Sequence, residues 1–194
     1  TFPDNHLFSG TRAQQCIQVG NAVPPLLASR FAINIENYLK NKKIISKDLV
    51  LPIINNEKLK TKSSSKKNSM NVVDLFCGIG GFSIGFSQAG FNVIAASDFD
   101  KYVSESHKLN FPNIPFIQGD IRNENIKKEI MNTIGDQKVD VLVGGPPCQG
   151  FSIFGKRRFI KNKDIPTEHD PRNDLVYSFF KMVEMITPEW VIME

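Results

Sequence analysis

The sequence is poor in the residues that staple small frameworks together. Its 194 residues include three cysteines (Cys16, Cys77 and Cys148), three histidines and one tryptophan. The cysteines share no paired spacing, which argues against a disulfide scaffold or a zinc framework; no metal site is expected. Free thiols in such a chain point to a reducing compartment, the cytoplasm. No apolar run approaches the ~18 residues that span a bilayer, and no signal-peptide pattern opens the chain. Nothing resembles the Lys-Ser/Thr end of a phosphate-binding loop. What is present is ordinary for a globular protein, at 41% hydrophobic and 23% charged residues. The length suits one domain with a proper core and is too short for two large ones.

A net charge of +4 invites a nucleic-acid reading until its location is considered. Residues 41–70 hold eight lysines against Asp48 and Glu57, a net of +6, so the remainder of the chain carries −2. The excess belongs to one connector and says little about a binding face. Function must come from motifs.

Three zones differ in character. Residues 1–40 open on turn-like Pro3-Asp4-Asn5 and pass through Gly20-Asn21-Ala22-Val23-Pro24-Pro25. A helix is expected to follow, with prolines in its first turn and Leu27, Phe31, Ile35 and Leu39 recurring at i+4. Residues 41–69 are rich in Lys, Asn and Ser and read as a basic flexible linker, in which Ile44–Ile54 could add a short apolar strand. From residue 70 to 194 strands and helices alternate. Strands are expected at Asn71–Phe76, Val93–Ser97, Pro115–Gln118, Val139–Val143 and Trp190–Met193. Helices are expected near 82–89, 100–110, Asn123–Ile134 and Asn173–Ile186. That order implies an α/β fold with a doubly wound, mostly parallel, Rossmann-like sheet, whose ligands lie beyond the carboxyl ends of the strands.

The loops at those ends carry the chemistry. Asp74-Leu75-Phe76-Cys77-Gly78-Ile79-Gly80-Gly81-Phe82 is a glycine-rich turn between a strand and a helix, suited to close backbone approach to a ligand. Asp98 ends the second strand 20 residues after Gly78, where a carboxylate can accept from ribose hydroxyls. Gly119-Asp120-Ile121 ends the third, offering an acceptor beside an apolar contact for an adenine ring. Helix-capping aspartates in tight turns are the plainer explanation, but three strand ends agreeing favours an adenosine-containing cofactor. The turn's G-x-G-G spacing departs from the dinucleotide fingerprint, so a cofactor without pyrophosphate, S-adenosylmethionine, fits better. Cys148 follows Pro146-Pro147 directly after a buried strand, a stiffened backbone at the ligand edge, and reads as a nucleophile rather than a packing residue. Cys77, inside the cofactor turn, is explained by packing; Cys16 reads as core or incidental. Lys156, Arg157, Arg158, Lys161 and Lys163 form either a solvated face or a phosphate grip, and His169 has no evident role.

The strings DLFCGIGGFSIGF, GGPPCQGFS and QVGNAVPP closely resemble blocks of the DNA cytosine-5 methyltransferases. The resemblance runs almost continuously over residues 70–194 and separately over residues 2–40. It implies that Phe76 stacks on the cofactor adenine, with Gly78, Ile79 and Gly80 shaping the pocket. It places Asp98 on the ribose, where the family more often has glutamate, and Asp120 and Ile121 against the adenine. Leu175 falls in a block near the cofactor, and Asn21 and Val23 in one that closes over its methionine part. Pro147 lines the site, Cys148 attacks C6 of a flipped cytosine in double-stranded DNA, and Glu194 binds and protonates N3. A restriction-modification setting is implied. A non-catalytic cofactor-binding regulatory module and a tRNA cytosine-5 methyltransferase are the alternatives.

One departure stands out. The family places the Asn21 block at the carboxyl end, whereas here it comes first, and no target-recognition region is apparent. The chain could be part of a permuted enzyme, a subunit completed by a second polypeptide, or a junction of tandem enzymes with Met70 marking an old start. Glu194, inside an expected strand, is not expected to be a natural terminus. Alone, the chain is expected to bind cofactor with little turnover.

Overall fold

The computed structural model describes residues 2–41, 69–147 and 173–194. The linker, including Ile44–Ile54, together with Cys148, the basic run after it and His169, lies outside the described residues. Eleven elements follow in order: α1 (Arg12–Gly20), α2 (Pro25–Asn41), β1 (Asn71–Leu75), α3 (Gly81–Gln88), β2 (Asn92–Asp98), α4 (Lys101–Asn110), β3 (Phe116–Gln118), α5 (Glu124–Ile134), β4 (Val141–Gly144), α6 (Asn173–Ile186) and β5 (Trp190–Met193).

The strands pair in parallel in the order β3-β2-β1-β4-β5. This is the expected α/β sheet. The period of two sorts its side chains. Val72 of β1 with Val141 and Val143 of β4 faces α2 and α3, while Val73, Leu75 and Leu142 face α5 and α6. Both faces are covered, which is why β1 and β4 are apolar almost throughout. β4 begins at Val141 because Asp140 turns its carboxylate to the Asn71 N–H at 2.7 Å and to Lys138 at 2.9 Å.

Helix α1 has no counterpart in the hydrophobic pattern. Its start is a reciprocal cap, Thr11 with Gln14, and its buried residue is a glutamine while Ile17 and Val19 are exposed. Polar bonds hold this segment to α4. Gln18 donates to the Ser9 carbonyl at 2.9 Å and accepts from the Ser106 hydroxyl at 2.7 Å, and Asn110 exchanges two hydrogen bonds with the Leu7 backbone. Cys16 is exposed rather than in the core.

Helix α2 forms where expected but turned about its axis. Ala28, Ala32 and Ile35 face inward, while Leu27 and Phe31 remain about half exposed. The cause is α3. A Cβ added at Gly81 would lie 2.1 Å from the Val23 carbonyl oxygen, and one at Gly85 2.4 Å from the Ala28 Cβ. Two helices this close admit only the smallest side chains between them, so Leu27 and Phe31 are turned outward, while Ile35 and Leu39, further along the same row, reach the core.

Two desolvated histidines tie the N-terminal segment to the body. His6 sits among Phe2, Phe8 and Phe111 and hydrogen-bonds to the Ile79 backbone. His107 is fully buried between Phe111 and Phe116. Burial lowers them to about 4 and about 3 from 6.5. The unfolded chain therefore takes up protons below about pH 6.5 that the folded chain refuses, and stability is lost as the pH falls. Asp74, raised to about 7, and Asp98, also raised by burial, contribute with the opposite sign. His107→Phe removes one imidazole contribution, so between pH 6.5 and pH 5 its melting temperature should lose less than that of the wild type, or gain more. Parallel profiles of the two proteins over this range would refute the assignment.

Candidate functional site

From β1 the chain runs outward in one direction to β2 and β3 and in the other to β4 and β5. The sheet's switch point therefore lies between β1 and β4, where open α/β sheets bind ligands. The turn after β1 is bent sharply. Phe76 has φ 54°, in the left-handed region that non-glycine residues seldom occupy, followed by Gly78 at 53° and Gly80 at 85°. Such a conformation costs about 1–3 kcal/mol and persists only where its surroundings hold it. Cys77 N–H donates to the Ser97 carbonyl at 3.1 Å and Gly78 N–H to Asp98 Oδ2 at 3.0 Å. The spacing of 20 residues between Gly78 and Asp98 is thus a direct contact. At the far end, Asp74 Oδ2 accepts from the Ser83 N–H at 3.0 Å and its hydroxyl at 2.7 Å.

Beyond these strand ends opens a cavity of about 690 Å³, within the range of small-molecule and cofactor sites. Phe76 and Gly78 line it after β1, Asp98 at the end of β2, Asp120 and Ile121 after β3, and Pro147 after β4. Leu175 of α6 and Glu194 beyond β5 complete that side, and Asn21 faces it from the N-terminal segment. Ile79, Gly80 and Val23 stand behind the cavity instead. Ile79 is fully buried, a Cβ at Gly80 would strike the Phe111 ring, and the Val23 carbonyl lies over Gly81.

Glu194 owes its place to sheet register. Met193 pairs with Gly144, the Glu194 N–H donates to the Gly144 carbonyl at 3.1 Å, and a Cβ at Gly145 would lie 3.7 Å from Glu194 Oε2. The carboxylate therefore stands beside Gly145-Pro146-Pro147, the segment that leads into Cys148.

Several lining residues escape motif reasoning. Phe99 exposes 70% of its surface, directly after Asp98, and only that adjacency could have marked it. Gln14 and Gln18 come from the unforeseen α1, and Tyr102 from the first turn of α4. Asp100 caps α4, accepting from the Tyr102 and Val103 N–H groups.

Among the described residues the lining carries Asp98, Asp100, Asp120 and Glu194 against one cation, Arg122. Arg122 grips Asp120 through Nε at 3.0 Å and a terminal nitrogen at 2.5 Å, holding that carboxyl below its usual range. Burial pushes Asp98 upward, and Cys77 well above the ordinary thiol range. Cys77 is thus kept protonated and inert. Among the described residues no lining cation is left over to clamp a phosphate, while a positively charged ligand carrying an aromatic base suits both the carboxylates and the open rings. Among the described residues no His/Cys/Asp/Glu cluster could hold a metal ion, and no helix is long and apolar enough to cross a membrane.

Comparison with known proteins agrees with this geometry. Type II methyltransferase M.DdeI of Desulfomicrobium norvegicum is 39% identical over 125 residues, 64% of this chain and 27% of its own. M1.HphI of Haemophilus parahaemolyticus is 37% identical over 128 residues, 65% of this chain and 32% of its own. M.HindV of Haemophilus influenzae is 43% identical over 125 residues, 64% of this chain and 37% of its own. The chain therefore spans about a third of the length of these relatives. The family model of the C-5 cytosine-specific DNA methylases matches residues 70–194, the whole stretch from the first strand to Glu194. On that match, joined to the cavity at its strand ends, the chain belongs to the C-5 cytosine-specific DNA methylase family.

Proposed function

We propose that the chain carries the cofactor pocket and the nucleophile of an enzyme that methylates C5 of cytosine in double-stranded DNA. The observation that supports it is convergence: Phe76, Asp98, Ile121, Pro147 and Glu194, from five strand ends, line one cavity next to the segment entering Cys148. S-adenosylmethionine fits the donor set, being a cation without phosphate that carries an adenine ring. Phe76 and Phe99 offer faces to that ring, Asp98 an acceptor for ribose hydroxyls, and Asn21 with Gln18 the wall from the N-terminal segment. Bound there, the cofactor supplies an electrophilic methyl group.

The chain's own residues prepare the base. Cytosine C5 is a poor nucleophile, so a Cys148 thiolate adds to C6 and turns the ring into an enamine. Glu194 hydrogen-bonds or protonates N3 and stabilises the charge that develops there. Once C5 has taken the methyl group, its proton passes to solvent and the C6–S bond breaks, releasing the Cys148 thiolate and 5-methylcytosine. A stacked base cannot reach such a cavity, so the target is flipped out of the duplex.

In this reading residues 1–40 are the late block of the family, residues 41–69 a linker and residues 70–194 the catalytic domain. The choice of cytosine belongs to a further segment or a second polypeptide. The relatives' name, Type II methyltransferase, supports a restriction-modification role. The full-length protein should transfer tritiated methyl from S-adenosylmethionine to double-stranded DNA, with the label recovered as 5-methylcytosine. Label competed away by tRNA but not by DNA would replace DNA with RNA as substrate. Cofactor binding without label in either would leave a regulatory module.

A further inference from the structure

Asp74 is an expensive residue in its position. It is fully buried, Oδ2 is taken by Ser83, and Oδ1 has no hydrogen-bond partner among the described residues. Nothing about β1 as a strand requires it; a valine would extend the apolar face that Val72, Val141 and Val143 already form. Asp98, at the cavity edge of the same turn, lies near enough to repel it, so two carboxylates crowd the cofactor turn, one dry and one facing the cavity. Among the described residues neither is paired with a cation. The titratable groups that face Asp74 are Asp98 on β2 and Cys77 in the turn; α3 and β4 contribute none.

The two carboxylates also hold the same object. Asp98 grips the turn at Gly78, and Asp74 grips it at Ser83 on the first turn of α3, whose N-cap, Gly80, has no side chain to offer. A missing cap would be satisfied by any acceptor; a charge is not needed for it. The charge is what remains unexplained. Resting on the cofactor reading above, we propose that Asp74 is a positioning residue whose negative charge, acting through the turn, makes the cavity prefer the sulfonium cation of S-adenosylmethionine to the neutral thioether of S-adenosylhomocysteine.

The preference has a pH signature. Burial raises Asp74 to about 7, so in the free protein the group is partly protonated near neutrality. A bound cation favours the carboxylate, drawing its proton off into solvent. Affinity for S-adenosylmethionine should therefore rise as the pH climbs through 7, with the homocysteine product following a flatter course.

Calorimetric titration of this chain with both compounds, between about pH 6 and pH 8.5, tests the proposal. Asp74→Asn keeps an acceptor for Ser83 and removes only the charge. It should weaken S-adenosylmethionine about tenfold at the upper pH while changing S-adenosylhomocysteine less than about twofold. It should also flatten the pH dependence of the affinity ratio. Ser83→Ala, which loosens the turn without touching the charge, should weaken both alike. Equal weakening of both ligands by Asp74→Asn would reduce Asp74 to a cap and overturn the proposal alone. A wild-type chain that binds neither compound would overturn the cofactor reading and the proposal with it. Should Asp74→Asn fail to fold, the wild-type ratio decides: a ratio that does not rise through pH 7 overturns the proposal.

Discussion

Gly85→Leu is expected to prise residues 2–41 off the sheet and abolish cofactor binding. A Cβ at position 85 would meet the Ala28 Cβ at 2.4 Å, the Ser29 nitrogen at 2.5 Å and the Pro25 carbonyl at 2.7 Å. Two of these are backbone atoms, which cannot swing aside as a side-chain tip does. Moving α2 as a body would uncover Ala28, Ala32 and Ile35 and, opposite them, Phe82 and Phe86. Overpacking of a tight core costs about 1–3 kcal/mol, and a clash with backbone belongs at or above the top of that range. At this chain length that corresponds to a fall in melting temperature of roughly 10 °C. Binding suffers as well, because Asn21 and Gln18 wall the cavity from the same segment. Gly20→Ala is the control for packing: its Cβ meets no atom within 4 Å, and the variant should melt with wild type. A Gly85→Leu protein that melts with wild type would show that the α2–α3 contact is looser than drawn.

The second large effect is chemical. Cys148→Ser in the full-length protein should lower methyl transfer on the order of 10³-fold or more, because a serine hydroxyl, unlike a thiol, is not ionised near neutral pH. Cofactor affinity should be unchanged, which separates lost chemistry from lost fold. DNA bearing 5-fluorocytosine, which has no C5 proton to lose, should leave a denaturation-resistant adduct on the wild type and none on the variant. Cys77 cannot substitute, since burial keeps its thiol protonated. Equal label transfer by variant and wild type would remove Cys148 from the mechanism.

Much of the sheet was legible because its signals are local. β1, β2 and β4 are short apolar runs followed by glycine or aspartate, and that punctuation alone orders the loops. Asp98 and the glycine turn could be paired from spacing, and the structure joins them by a hydrogen bond at 3.0 Å. What stayed hidden depends on partners distant in sequence. Helix α1 is held by Gln18 and Ser106, 88 residues apart, and shows no apolar stripe. The N-terminal half of α2 is turned by two glycines on α3, so Leu27 and Phe31 of its pattern point away from the core while Ile35 reaches it. Phe99 and Gln14 line the cavity through tertiary placement that no local motif encodes.

The pairing of Gly144 with Met193 has a consequence for how such enzymes can diverge. Glu194 is set beside Gly145 by a ladder of backbone bonds, not by the stretch of chain joining β4 to α6. Lengthening a connection between fixed anchors costs only about 0.6 kcal/mol per doubling. A change in the length of that connection beyond residue 148 therefore leaves Glu194 in its place beside Gly145, at small thermodynamic cost.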